Sequence, residues 1–381
     1  MLSFIDKVKK GSRVLRSVLV APKPEDFFFL IFAITYLCGS RCTMCNIWQK
    51  YKDDPHKNRE ELSAGEIREA FSRSEILKRA RILIIAGGEP FLKKDFNEII
   101  LFLKSFNPAA PVIIPTNGQH PDLIEDKLKG LMQSLLKQGD SDPVLYVGVS
   151  LDGMEETHER TRGIKGSFRD ALRTVEILRD IKGIYTGFVF TFTPQNYREF
   201  KSVVKLSKEM KMPLTFQFAQ TSSHYYDNKE ICFDWTREQI DEVREVLHET
   251  HYFDVIRKDF FDYRSSRAFT DRLLSYNRYF LEYVLEFQLQ QRRNFDCYSG
   301  THSCFLDPYG NVFPCISLGK NIGNLREQDF DALWTSSSAS EIRKHISQRQ
   351  CHCCSFCDIP NSLPRNLSVI TSNAKKMLRS G

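Results

Sequence analysis

The chain has no run able to cross a bilayer as a helix. Its most apolar stretch, FFFLIFAITYLC (27–38), is 12 residues long, and about 20 are needed. It has no convincing secretory signal: residues 1–20 interleave Lys7, Lys9, Lys10, Arg13 and Arg16 with apolar residues, and no small-residue cleavage site follows an apolar core. The net charge is only +6, without a dense basic–aromatic stripe, so no specific nucleic-acid signal is present. Cysteine, by contrast, is plentiful. Eleven are present: Cys38, Cys42 and Cys45 near the start, Cys232 alone, and the rest after residue 296. An odd, clustered set argues against a disulfide scaffold and for metal sites in a reducing, cytoplasmic compartment. The 381 residues, 41% hydrophobic and 27% charged, suit a globular enzyme larger than one average domain.

The first half alternates short β-branched or aromatic runs with amphipathic stretches of helical period. Strands are expected at 29–36, 81–87, 111–118, 144–152, 186–194 and 214–220. Helices are expected near 63–79, 95–106, 121–138, 167–181 and 196–210. Ser63 and Glu66 form a start signal for the first helix, and Ser167 opens the fourth. Strands apolar on both faces imply a parallel sheet covered by helices. Six βα units suggest a partial (βα)6 TIM-like barrel in the α/β class, with chemistry at the C-terminal ends of the strands. The polar and glycine signals do fall there: Cys38 after the first strand, GGEP (87–90) after the second, TNG (116–118) after the third, SLDG (150–153) after the fourth and TFTPQN (191–196) after the fifth.

Cys38, Cys42 and Cys45 can ligate three irons of a [4Fe–4S] cluster, but no fourth cysteine lies nearby. One iron would stay open for a chelating ligand such as an amino acid's amine and carboxylate, the analogue of an open catalytic metal position. A zinc site with a distant fourth ligand is the plainer alternative. The ordered set CxxxCxxC, GGEP and SLDG, each at a strand top, resembles the radical S-adenosylmethionine (radical SAM) enzymes over about residues 29–220. The resemblance implies that Cys38, Cys42 and Cys45 hold the cluster and that SAM chelates its open iron. Reductive cleavage of SAM would then abstract a substrate hydrogen. It also implies that Gly87, Gly88, Glu89 and Pro90 hold the methionyl amine, that Ser150 and Arg162 hold the ribose and carboxylate, and that Thr116 and Asn117 line the same cleft. Met44 stands where the family usually has an aromatic residue whose backbone contacts adenine. Arg160 competes with Arg162, and Asp152 reads as a cap for the loop after the fourth strand.

In the C-terminal third, FLDPYGNVFP (305–314) reads as a hairpin that brings Cys297 and Cys315 within reach of one another. Cys297, Gly310 and Cys315, followed by Cys351, Cys353, Cys354 and Cys357, resemble the SPASM and twitch extensions of the same enzymes. No isolated cysteine follows Cys357. One auxiliary [4Fe–4S] cluster is therefore expected on Cys297, Cys315 and two of the last four, with Cys353 and Cys357 the preferred pair. A second cluster using Cys304 and a four-cysteine zinc ribbon stay open. Cys232 and Cys304 read as buried small apolar residues, or else as thiol hydrogen donors for a redox-neutral reaction.

This divides the chain into a basic amphipathic segment (1–28), the barrel (29–220), a helical bridge (221–295) with helices over 234–249 and 271–291, and a SPASM/twitch-like domain (296–381). His224, Tyr225, Tyr226 and Asp227 are either substrate contacts or loop packing. The N-terminal segment can lie on an anionic membrane face or pack on the barrel. The residues before the first strand are too few for the peptide-binding domain often fused to peptide-maturing relatives. The expected activity is an oxidation or rearrangement of a small-molecule, sugar or lipid-linked precursor by a probable oxidoreductase, with flavodoxin or ferredoxin as external reductant. A peptide maturase, and a non-catalytic iron–sulfur or zinc protein, are the other two classes.

Overall fold

The computed structural model describes residues 23–139, 144–249, 277–353, 355 and 358–362. The expected N-terminal amphipathic helix lies outside these residues, as do Cys354 and Cys357.

The expected α/β barrel forms. Its strands are β1 (Phe29–Thr35), β2 (Ile82–Gly87), β3 (Val112–Thr116), β4 (Leu145–Ser150), β5 (Ile184–Phe192) and β6 (Leu214–Phe218), all parallel neighbours in sequence order. Helices α1 (Ala64–Ser72), α2 (Phe96–Phe106), α3 (Pro121–Lys137), α4 (Glu155–Arg162), α5 (Ser167–Arg179) and α6 (Phe200–Glu209) connect them. Alternate residues of each strand, such as Leu30, Phe32 and Ile34 of β1 or Leu145, Val147 and Val149 of β4, join the helices in one continuous apolar core. The opposite residues face the barrel interior. That interior is filled asymmetrically: Phe29, Ile31, Tyr36, Ala86, Tyr225, Phe305 and Phe313 pack into an aromatic-rich slab on the β1 side.

The C-terminal hairpin, β7 (Ser303–Leu306) and β8 (Asn311–Phe313), is not set apart from the barrel. β7 pairs in parallel with β1, Phe29 opposite Ser303 and Phe32 opposite Leu306, and β9 (Gly323–Asn324) ends a nine-stranded sheet ordered β6-β5-β4-β3-β2-β1-β7-β8-β9. β1 is therefore buried along its whole length. Bridging helices α7 (Arg237–Glu249) and α8 (Asn277–Gln290) pack together, Arg244 reaching Glu282 at 3.2 Å. Helices α9 (Phe330–Thr335) and α10 (Ser337–Ser347) cover the hairpin side.

Three local expectations need correction. Ser167 does not cap α5: Gly166 (φ 85°) is the cap, and the Ser167 hydroxyl donates back to Ile164 O at 2.8 Å. The first helix stops at Ser72, with a separate turn at Leu77–Arg79, and α6 is preceded by its own turn at Tyr197–Glu199. Helix α4 was not expected at all. Its buried residues are His158, Thr161 and Arg162, so it carries no apolar stripe for a periodicity to reveal. Ser63 and Glu66 do make the reciprocal capping box of α1.

Candidate functional site

The loop after β1 carries the first three cysteines, and four other elements hold it by its backbone. From β2, Gly88 N donates to Thr35 O (2.8 Å) and Glu89 N to Leu37 O (2.7 Å). A Cβ on Gly87, at φ +137°, would fall 2.1 Å from Thr35 O, and one on Gly88 2.3 Å from Leu37 O. These glycines are thus required by the approach of two backbones. From α4, Arg162 O accepts from Arg41 N and Thr161 O from Thr43 N, both at 2.9 Å. Gly163 closes α4 in the left-handed conformation, with room for no side chain against Arg41 O. From the segment after β6, Tyr226 O accepts from Asn46 N (2.8 Å), and Asn228 Nδ2 donates to Met44 O (2.7 Å). Beneath the loop, the buried Glu61 carboxylate accepts from Thr35 Oγ1 (2.8 Å), Tyr36 N (2.8 Å) and Tyr51 OH (2.6 Å), and Lys93 Nζ meets its other oxygen at 3.1 Å.

Burial pushes all three thiols up, Cys38 to about 12; Cys42 raises Cys38 and Cys45 further, and Asp152 adds to the rise at Cys42. Arg162 counters this. Its Nη1 lies 3.7 Å from Cys42 Sγ and its Nη2 2.6 Å from Asp152 Oδ2. Burial opposes the guanidinium charge, but Asp152 and Cys42 outweigh it and raise the Arg162 pKa. Asp152 does cap its loop, accepting from Thr191 N at 2.7 Å, and it also orients Arg162. Arg160 is exposed and bonds Thr157. Glu89 is fully buried; burial pushes its carboxyl up to about 7 against the hydrogen bonds it accepts. Those come from Thr116 Oγ1 (2.9 Å), Asn117 N (2.8 Å) and Phe91 N (3.3 Å). A carboxylate has about four acceptor positions, so one remains for an ammonium group. Asn117 Nδ2 sits 4.0 Å from Cys38 Sγ, Pro90 starts the turn below Glu89, and Ser150 ends β4, half-buried.

The residues present fit a cluster with a chelating amino acid: three thiols from one loop, a buried cation against one of them with Nε unpartnered, and a buried carboxylate with a spare acceptor. Among the described residues no three Cys, His, Asp or Glu side chains converge as they would on a single metal ion.

At the C-terminal group burial and Asp358 push the Cys315 thiol up, and Cys353 and Cys297 lie close enough to raise it further; after burial, Cys297 and Cys351 likewise raise Cys353. Cys304 stands apart. It is in register with Leu30 on the helix-packed face, a core residue. Cys232 is exposed instead of buried, its thiol 2.9 Å from Asp234 Oδ1. It lines a cleft of about 260 Å³ with Thr43, Met44, Arg160, Thr193 and Gln195. The His224–Asp227 segment is packing: Tyr225 OH meets Gly87 O (3.2 Å), Lys50 Nζ donates to His224 O (3.1 Å), and His224 Nε2 reaches Cys315 O (3.1 Å). It straps the first cysteine loop to the second cysteine group. The sequence reading left this strap open between substrate contact and loop packing, and it missed α4. For α4 a signal existed: acidic Glu155 and Glu156 at its start, basic Arg160 and Arg162 at its end, then Gly163.

Comparison with known proteins agrees with this geometry. Residues 32–207 match the sequence profile of the Radical SAM superfamily, and the chain belongs to that superfamily. More narrowly, it is a member with a SPASM domain, since residues 297–358 match the profile described as an iron-sulfur cluster-binding domain. The pair of domains implies a [4Fe–4S] cluster with SAM in the barrel and auxiliary iron–sulfur binding at the C-terminus. The Fe-coproporphyrin III synthase of Methanosarcina barkeri is 26% identical over 92% of this chain and 86% of its own. The subtilosin biosynthesis protein AlbA of Bacillus subtilis is 21% identical over 94% and 73%. The crystal structure of Streptococcus suis SuiB bound to S-adenosylmethionine shares the fold, with TM-score 0.58 and 14% identity over 89% of this chain and 72% of that one. Among the described residues no helix is long and apolar enough to cross a membrane.

Proposed function

We propose that this radical SAM enzyme carries out a net oxidation of a small-molecule substrate of the tetrapyrrole kind, drawing electrons for SAM cleavage from an external flavodoxin- or ferredoxin-type reductant. The observation that carries the catalytic part is the meeting of Cys42, after β1, with the buried Arg162–Asp152 pair, after β4, while the buried Glu89 follows β2 on the same end of the sheet. Cys38, Cys42 and Cys45 would hold the first cluster, and among the described cysteines Cys297, Cys315, Cys353 and Cys351 would serve an auxiliary one. Arg162 suits a carboxylate by its fork, Glu89 an amine, and Met44 and Ser150 would face the nucleoside. Bound SAM would supply hydrogen abstraction and the auxiliary cluster would accept the second electron, the proton leaving to solvent. The substrate class draws on the Fe-coproporphyrin III synthase likeness, which runs along most of both chains. The second reading, a peptide maturase, is favoured by the AlbA likeness over 94% of the chain.

The test is anaerobic reconstitution followed by iron and sulfide counts, then SAM and dithionite, with 5′-deoxyadenosine measured beside a Cys42→Ala control. About eight irons with SAM cleavage that the control lacks is expected. An iron-porphyrin substrate that raises 5′-deoxyadenosine and changes its own absorption supports the tetrapyrrole reading. A short precursor peptide that does so instead overturns it, and zinc in place of iron overturns the enzyme reading.

A further inference from the structure

Arg293 is a buried cation that the catalytic scheme does not use. It lies four residues before Cys297 and is 2% exposed. Its guanidinium spreads over backbone: Nη1 donates to Phe295 O (3.0 Å), Nη2 to Ile346 O (2.7 Å) and Nε to Cys351 O (3.4 Å). Nη2 also faces Cys351 Sγ at 3.9 Å, and the guanidinium lies 5.8 Å from the Phe295 ring centre. Its own N–H donates to His352 Nδ1 at 3.2 Å, fixing the start of the 351–353 segment. Arg keeps its proton in proteins, and a buried charge without a counter-ion is costly. Among the described residues no carboxylate pairs with it. Asp358, which acts on the same thiols, gives its oxygens to the hydroxyls of Ser303 (2.6 Å) and Ser355 (2.7 Å). Asp296 turns outward to Arg349 at 2.9 Å. Besides three neutral carbonyls, what the guanidinium faces is the Cys351 sulfur.

We propose that Arg293 is the built-in counter-cation of an auxiliary iron–sulfur cluster ligated through Cys351, and that it holds the reduction potential of that cluster up. This rests on the reading that the C-terminal cysteines hold a cluster. A thiolate-ligated cluster is net negative and becomes more so on reduction. A fixed cation and an N–H···S contact therefore stabilise the reduced form more than the oxidised one. In a buried site the effect is little screened. An acceptor for the second electron of an oxidation needs to be easily reduced, which is what such a cation provides. Arg293 is in this sense a positioning and tuning residue.

The experiment uses the full chain with Arg293→Met and Arg293→Lys, each reconstituted without air. Iron and sulfide are counted, and the midpoints of both clusters are followed by EPR during a reductive titration, the barrel cluster being identified by its response to SAM. In Arg293→Met the auxiliary midpoint is expected to move to more negative potential and the barrel midpoint to stay; Arg293→Lys should recover most of the shift. A Met variant with wild-type iron content and an unmoved auxiliary midpoint overturns the proposal. A wild-type protein with only about four irons overturns the auxiliary-cluster reading instead. Should the Met variant not assemble, wild-type protein labelled with 15N-arginine decides. Pulsed EPR of the reduced auxiliary cluster should show a nitrogen coupling that vanishes in Arg293→Lys, and its absence in the wild type refutes the assignment.

Discussion

The two cysteine groups of this chain are built in opposite ways. The first is local in sequence and is held from outside: Cys38, Cys42 and Cys45 share one loop, while backbone from β2, α4 and the strap after β6 fixes its shape. The second is scattered in sequence, gathered by the fold from either side of a hairpin and from the segment after α10. The first faces an arginine already paired with Asp152; the second faces Arg293, which has no such pair among the described residues. A loop that must leave a position open keeps its cation balanced by the protein. A site closed by protein ligands can leave that balance to the cluster.

The sharpest way to break this comparison is to remove one ligand from each group. Cys42→Ala should lose SAM cleavage altogether and about four irons. Cys353→Ala should lose a similar number of irons yet still cleave SAM in the absence of substrate. Equal loss of SAM cleavage in both would mean that the two groups do not form separate centres. Next in size is Glu61→Ala, which leaves Lys93 buried without its partner beneath the first loop. A destabilisation of about 3–5 kcal/mol is expected from denaturant unfolding, and a cost near zero would show that Lys93 finds water.

Asn228→Ala should act more narrowly. It frees Met44 O and Gln220 O, at about 1–3 kcal/mol. Under limited air the barrel cluster should bleach faster while the auxiliary cluster decays at its wild-type rate; equal acceleration of both would argue against a local role. The smallest effect is expected at Glu66, which joins α1 to Arg326 beyond β9 at 2.8 Å. The Arg326 hydrogen bond, opposed by partial burial and helped by Ser63, holds its carboxyl at about 2. The contact stabilises the fold above the ordinary carboxylate value of about 4.5 and is lost as pH falls toward 2. Being half in solvent, it is worth under about 1 kcal/mol. Glu66→Gln should therefore lose less stability than wild type between pH 4.5 and 2, and identical acid curves would remove the pair from the account.

The barrel was legible because its signals are local. A β-branched run such as RILIIAG needs no partner to be recognised as a strand, and CxxxCxxC needs no second element to be recognised as a ligand loop. Signals that depend on partners were not legible. The polar face of α4 is explained only by Asp152 and the cysteine loop it meets. Parallel pairing of β7 with β1 leaves no mark in either strand. Cys232 and Cys304 look alike in sequence, and only the register of Cys304 with Leu30 separates a core residue from an exposed thiol. Arg293 looked like one basic residue among its neighbours in QQRRNF until its burial was known.

The β1–β7 pairing also has a temporal side. Phe29 meets Ser303, so during synthesis the seven-residue apolar strand FLIFAIT, Phe29–Thr35, is made long before its neighbour. At roughly 5–20 residues per second the delay is on the order of ten seconds to a minute. Throughout it the most apolar strand of the protein has one edge unpaired, the condition under which strands recruit wrong partners. A ribosome-bound chain thus carries this open edge until β7 is made, and the C-terminal hairpin acts as the late-arriving guard of the N-terminal strand.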